Sequence, residues 1–184
     1  MSAKKTVVSK QEIIFAGFGG QGILLLGKFL SYCAVREGLF TTFMPSYGAE
    51  VRGGTAYSMT IVSGSPIPSP VVSAPDASIV MNGPSFKKFK DKVKKGGLLI
   101  VNSSLVKEAA KSSAGEVVKI PFTDIAESLG NVRVANMVAL GAYLKKTKIV
   151  SIKTALQVAD DFFKDKKLVV LNKLALLKGA SMVK

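Results

Sequence analysis

The sequence predicts an α/β fold: a mostly parallel sheet with helices on both faces and one antiparallel strand pair. Three observations carry that expectation. Short apolar, partly β-branched runs alternate with longer stretches of helical spacing along the 184 residues, as expected when strands are buried on both faces by crossover helices. The first apolar run ends in a glycine cluster that opens a helix. Between residues 39 and 63 two strand-like runs follow each other with no room for a helix, so an antiparallel pair or a long loop is expected there. A chain this long buries roughly 70% of the surface its unfolded form exposes. No linker or repeat divides it, and residues 1–184 read as a single domain.

The elements follow in order. Residues 12–16 (Glu12-Ile13-Ile14-Phe15-Ala16) form a buried strand feeding a turn. Residues 21–36 repeat Ile23, Leu26, Leu30 and Ala34 at helical spacing, and Gly38 suits the C-terminal stop. Residues 39–44 form a second strand, stopped by Pro45. Residues 55–63 form a third, in which Ala56, Ser58, Thr60 and Val62 alternate with Tyr57, Met59 and Ile61. A loop with Pro66, Pro68, Pro70 and Pro75 precedes strands at 77–81, 98–101 and 116–120. Helical stretches cover 85–94, 104–111, 123–129, 135–146, 152–163 and 167–182. In the last of these Val170, Leu174, Leu177 and Ser181 share a face, expected to pack on the sheet, with docking on another subunit as the alternative.

Composition excludes much chemistry. The chain has no His, no Trp and one Cys. It therefore lacks an imidazole base, a Ser-His or Cys-His dyad, an internal disulfide, and the ligands for a Cys/His zinc site or its own iron–sulfur cluster. Cys33 sits on the apolar face of the first helix and reads as a core thiol. Net charge is +14, with six basic against four acidic side chains in residues 1–86 and 20 against eight beyond. Only Arg36, Arg52 and Arg133 are arginine. Specific readers of bases and phosphates favour the arginine fork, so a nucleic-acid partner is disfavoured. A lysine-coated solvated surface or a face for an acidic subunit fits better, and Lys87, Lys88, Lys90, Lys92, Lys94 and Lys95 read as a solvated helix face. Glu12 and the glycines that follow break the resemblance of the N-terminus to a signal peptide. No apolar run approaches the ~20 residues of a membrane span, so a reduced, cytoplasmic setting with no membrane partner is expected.

Gly17-Phe18-Gly19-Gly20-Gln21-Gly22 follows a strand and opens a helix, the context in which GxGxxG makes a Rossmann-like turn. The free amides of the first helical turn suit an anion, but such a turn can also exist only for packing. A nicotinamide dinucleotide site wants an acid about 20 residues on, and residues 39–44 contain none. Residues 22–28 fit GxxxxGK, yet Phe29 stands where a P-loop needs Ser or Thr, and the intervening residues are an apolar helix. A second constellation, Ser46-Tyr47-Gly48-Ala49-Glu50-Val51-Arg52-Gly53-Gly54, follows the second strand and should share an edge with the glycine turn. Arg52 there suits a carboxylate or phosphate, or simply pairs with Glu50. Asn136 reads as a helix cap or a ligand contact, and Asp76 as a turn-ordering residue.

Together the two motifs, GxGGQG at Gly17–Gly22 and Y-G-x-E-x-R-G-G at Tyr47–Gly54, resemble the gamma subunit of 2-oxoacid:ferredoxin oxidoreductases. Asp76 and the helix start Ala135-Asn136-Met137-Val138 fit as well, and the likeness runs from about residue 12 to 180. The sequence around Pro45–Gly48 and the absence of a cysteine-rich domain resemble the 2-oxoglutarate branch, with the pyruvate and branched-chain branches open. The resemblance implies a single gamma-type domain of pyruvate/ketoisovalerate oxidoreductase kind, accessory to alpha and beta subunits and in some forms a delta subunit. It implies decarboxylation on thiamine diphosphate, acyl transfer to coenzyme A and electron flow through iron–sulfur clusters to ferredoxin, with thiamine diphosphate and clusters held by partner subunits. On that basis Gly17, Phe18, Gly19, Gly20, Gln21, Gly22, Tyr47, Arg52, Gly53 and Gly54 are the candidate residues that receive coenzyme A or, alternatively, seal the active-site entrance against the alpha subunit, with no catalytic residue and no metal ligand on this chain. Alternatives are a stand-alone nucleotide- or coenzyme-binding module and, third, a basic nucleic-acid binder.

Overall fold

The computed structural model of the chain describes residues 9–46, 55–108 and 115–183. Strands β1 (Gln11–Gly17), β2 (Phe40–Ser46), β3 (Ala56–Ser63), β4 (Ala77–Val80), β5 (Gly97–Asn102) and β6 (Gly115–Ile120) form one sheet in the order β2-β3-β1-β4-β5-β6. Helices α1 (Ile23–Arg36), α2 (Gly83–Phe89), α3 (Phe122–Ser128), α4 (Ala135–Thr147), α5 (Ile152–Phe162) and α6 (Lys166–Ser181) cover it. β1, β4, β5 and β6 pair in parallel, whereas β3 is antiparallel to both β1 and β2. The expected mostly parallel α/β sheet and its β2–β3 pair are therefore present. The addition is that β3 inserts between β2 and β1, so one reversed strand makes two antiparallel pairings.

Alternation along β1 divides the core into two layers. Ile13 and Phe15 face a layer formed with α1, α3, α4, α5 and α6, where Phe29, Met137, Leu140 and Tyr143 are fully buried. Ile14 and Ala16 face a smaller layer with Phe86 and Phe89 of α2 and Val72 of the proline-rich loop. Both faces of β1 are buried, which is why it reads as a continuous apolar run. Cys33 lies in the larger layer, fully buried. Burial pushes its thiol up to about 12, with Glu37 adding to the shift, so it stays a neutral packing group.

Three local expectations change. β2 continues through Pro45, which pairs with Ser58, because β2 is the sheet edge and proline's missing donor costs nothing there. Residues 104–108 form turns rather than the start of a helix, with the Asn102 carbonyl accepting from both Leu105 and Val106. The α6 stripe of Val170, Leu174 and Leu177 does not pack on the sheet but is 59%, 48% and 46% exposed. Instead Asn172, Ala175, Leu176 and Gly179 are buried. A Cβ on Gly179 would collide with the Val138 carbonyl of α4, and one on Gly141 with the Leu176 carbonyl of α6. The two helices approach so closely that only glycine fits at each point, and a contact made by glycine is invisible to an apolar count.

The candidate functional site at the carboxyl edge of the sheet

The glycine turn lies where the chain reverses its direction of winding. From β1 the chain crosses by α1 towards β2 on one side, and from β4 it crosses by α2 to β5 on the other. Because α1 and α2 occupy opposite layers, the carboxyl ends of β1 and β4 flank the crevice of an open α/β sheet, the usual position for a ligand. The sequence motif has thus been carried to the switch point of the fold.

Three of the four motif glycines are required by the chain itself. Gly22 has φ 71, and a Cβ there would run into the Asn136 side chain at the head of α4. Asn136 Nδ2 reaches the Gly22 carbonyl at 3.4 Å, so Asn136 serves by packing beneath the turn. A Cβ on Gly17 would meet Gln21 Oε1 and Ile23. Gly20 takes φ 89, a backbone region that side chains resist. Gly19 differs, having no positive φ and nothing within 4 Å of an added Cβ. Its Cα faces open space beside Phe18, which is 37% exposed.

Gln21 holds the turn together. Its Oε1 accepts from the Phe18 N–H at 2.8 Å and from Asn82 Nδ2 at 2.8 Å. Asn82 stands just after β4, and its Oδ1 caps α2 by accepting from the Ser85 N–H at 2.9 Å. One asparagine therefore joins the β1 turn to the β4 turn across the switch point. Asn102, at the end of β5, donates to the Met81 carbonyl at 3.1 Å and to Thr123 Oγ1 at 3.0 Å, extending the tie to α3. By contrast α1 has no side-chain cap and no acidic residue in its first turn, so its leading amides are left for solvent or a ligand.

Beside the turn is a cleft of about 140 Å³ lined by Gly20, Gln21, Met81, Leu105, Thr123, Val132, Arg133 and Ala135. Gly17, Phe18, Gly19, Gly20, Gln21 and Gly22 are thereby brought together at this edge. Tyr47, Arg52, Gly53 and Gly54 lie outside the described residues. The residues flanking that segment, Ser46 and Ala56, stand at the same edge, with Ala56 paired opposite Gly17. Asn82, Asn102 and Arg133 were not singled out as site residues by sequence. The signal available for the two asparagines was their place immediately after an apolar strand run, where sheet-edge functional groups sit. For Arg133 the signal was its rarity.

The opposite, amino edge carries Asp76 and the Lys94 ammonium. Lys94 Nζ bridges Glu12 Oε2 at 2.7 Å and Asp76 Oδ1 at 2.9 Å, and Asp76 Oδ2 accepts from the Glu12 N–H at 2.7 Å. Asp76 thus orders the strand starts, as its sequence position suggested. Lys87 pairs with Glu108 at 3.2 Å, and Lys88 lies 5.0 Å from the Tyr57 ring centre, but α2 ends at Phe89 rather than at 94, so only Lys87 and Lys88 lie on its face and the later lysines stand on the turn that follows. Among the described residues no group of three or more His, Cys, Asp or Glu could hold a metal ion, and no helix is long and apolar enough to cross a membrane.

The fold and the edge geometry define an open α/β domain with a glycine turn at its switch point. The pyruvate ferredoxin/flavodoxin oxidoreductase sequence pattern matches residues 12–182, and the chain belongs to that family, as a gamma-type subunit of a 2-oxoacid:ferredoxin oxidoreductase. It is 39% identical over 154 residues to the 2-oxoglutarate synthase subunit KorC of Methanocaldococcus jannaschii, covering 80% of this chain and 81% of that one. It is 40% identical over 135 residues to the ketoisovalerate oxidoreductase subunit VorA of Methanothermobacter thermautotrophicus, covering 72% of this chain but only 28% of that longer one. Among solved structures, the keto/oxoacid ferredoxin oxidoreductase gamma subunit of Geobacter sulfurreducens superposes with TM-score 0.83 at 30% identity, covering 94% of this chain and 97% of that one. A 2-oxoglutarate:ferredoxin oxidoreductase from Magnetococcus marinus, solved with 2-oxoglutarate, coenzyme A and succinyl-CoA bound, superposes with TM-score 0.84 at 26% identity, covering 95% of this chain and 31% of that one.

Proposed function

We propose that this chain serves a 2-oxoglutarate-type oxidoreductase, assembling with alpha and beta subunits and presenting its glycine turn to coenzyme A. The observation that carries the reading is the turn itself. Gly19 and Phe18 stand open at the switch point, while Gly22, Gln21, Asn82 and Asn136 hold the turn rigid from below. A surface kept rigid and bare suits a ligand with phosphates and a slim apolar arm. The amides at the head of α1 have no side-chain cap, and Phe18 offers an apolar side. Arg52, on the segment between Ser46 and Ala56, is assigned to the same phosphates.

Similarity supports the reading of substrate and partners. The KorC relative matches in length as well as identity, which favours 2-oxoglutarate over the branched-chain acid of the VorA relative. In the Magnetococcus enzyme the matching stretch is under a third of a longer chain, and the remaining functions are assigned here to separate subunits. Those subunits supply the thiamine diphosphate on which decarboxylation occurs and the clusters that lead to ferredoxin. The role of this chain is to bind and orient coenzyme A and to complete the assembly. A cytoplasmic setting suits electron delivery to ferredoxin.

The test is reconstitution with alpha and beta subunits from the same source, followed by ferredoxin reduction with several 2-oxoacids. Turnover is expected to require coenzyme A and to be fastest with 2-oxoglutarate. Fastest turnover with 2-oxoisovalerate would move the chain to the branched-chain branch. Calorimetry of the complex carrying Arg52→Ala should show weaker coenzyme A binding; unchanged affinity with unchanged assembly would remove Arg52 from the site.

A further inference from the structure

The cleft beside the glycine turn contains a cation that neither sequence motif includes. Arg133 belongs to the 3₁₀ turn Val132–Val134 that leads into α4. Asn131 Oδ1 caps that turn by accepting the Arg133 N–H at 3.0 Å, which fixes the backbone from which the side chain extends. The guanidinium itself makes no hydrogen bond or ion pair among the described residues, whereas Arg36 is paired with Asp161. No carboxylate lines the cleft. Arg133 is exposed, and a guanidinium beside a cleft that no carboxylate lines suits an anion brought by a ligand, its planar fork matching phosphate oxygens.

The rest of the cleft limits what the anion is attached to. About 140 Å³ is small beside the roughly 300–1,000 Å³ of ordinary ligand pockets, so the cleft suits one slim part of a larger ligand. Met81, Leu105 and Val132 give it apolar walls, while Gln21, Thr123 and the Gly20 backbone give it polar groups. Of these, Leu105 and Val132 are 45% and 51% exposed, and Phe18 of the adjoining turn is exposed as well. Large apolar side chains left in water around a small opening are the mark of a covered contact.

We infer that Arg133 is the phosphate-recognising residue of this cleft, reading a phosphate of coenzyme A while the pantetheine arm lies along Phe18, Leu105 and Val132. The inference rests on the reading that the glycine turn faces coenzyme A, and adds the residue that discriminates phosphorylated from unphosphorylated ligands. The test uses the assembled complex, titrated calorimetrically with coenzyme A and with pantetheine, which keeps the arm but lacks the phosphates. Arg133→Ala should weaken coenzyme A by about 10- to 100-fold, the loss of one charge-assisted contact, and leave pantetheine unchanged. Arg133→Lys should restore part of the loss, and the salt dependence of coenzyme A binding should be shallower in Arg133→Ala than in the unmodified complex. Equal loss for both ligands would mean a damaged cleft and would overturn the inference. If Gly19→Leu weakens coenzyme A while Arg133→Ala does not, the arginine assignment falls and the turn reading stands. If neither variant weakens it, both fall.

Discussion

The two edges of the sheet are built on opposite plans. At the amino edge Glu12, Asp76 and Lys94 satisfy one another, and the Asp76 carboxylate also takes the Glu12 amide. At the carboxyl edge the polar groups that form bonds serve to fix the turn, as Gln21 and Asn82 do, while Arg133 and the leading amides of α1 are left over. One edge closes the fold and the other presents a surface. The same parallel strands supply both, since they bring every strand end followed by a functional turn to one side.

The largest way to break this contrast is to disturb the support beneath the turn. Gly22→Ala forces a side chain into left-handed backbone, at about 1–2 kcal/mol, and drives it against Asn136, with overpacking adding about 1–3 kcal/mol. Urea unfolding should report a loss of roughly 2–5 kcal/mol, greater than for any other single change proposed here. Next is the amino edge. Asp76→Ala strips the Glu12 N–H of its acceptor and removes a partner of Lys94, and should cost about 1–3 kcal/mol without altering ligand affinity.

A smaller effect separates the edges by pH. Burial tends to raise the Glu12 carboxyl, but hydrogen bonds from Lys10 and Lys94 outweigh it and hold the group below its usual 4.5. Its contribution is present above that value and is lost as pH falls through the lower folded pKa. Burial likewise tends to lower Lys94, but Glu12 and Asp76 raise it above 10.5. Its contribution is present below that value and is lost as pH rises through the higher folded pKa. Lys94 is partly exposed, so solvent screening limits the pair to about 1 kcal/mol or less. Lys94→Ala should flatten both limbs of the stability–pH curve and leave coenzyme A binding at pH 7 unchanged.

Much of this plan was legible in the sequence. Apolar strand runs and helical spacing gave the element types, and the glycines after Ala16 located the crossover, because only glycine takes those backbone angles and close contacts. Strand order was not legible. Residues 56–63 read as a strand whether they lie outside β2 or between β2 and β1, since periodicity carries no record of neighbours. The packed face of α6 was misread because the contact is made through Gly179 and Gly141 rather than through leucines. Residues 104–108 were misread because Asn102 captures the following amides in a turn. At the site the contiguous motif was visible, whereas Asn82 and Arg133 come from the ends of other elements and meet the turn only in space.

Gly19 isolates the central claim, because the fold has no need for glycine there: no positive φ and no neighbour within reach of a Cβ. Gly19→Leu should leave unfolding within about 0.5 kcal/mol of the unmodified chain and leave the complex assembled. Calorimetric titration of that complex with coenzyme A is the most direct measurement. At least about a tenfold loss of affinity, near 1.4 kcal/mol, is the result expected if the turn faces this ligand. Undiminished affinity in a fully assembled complex would contradict it.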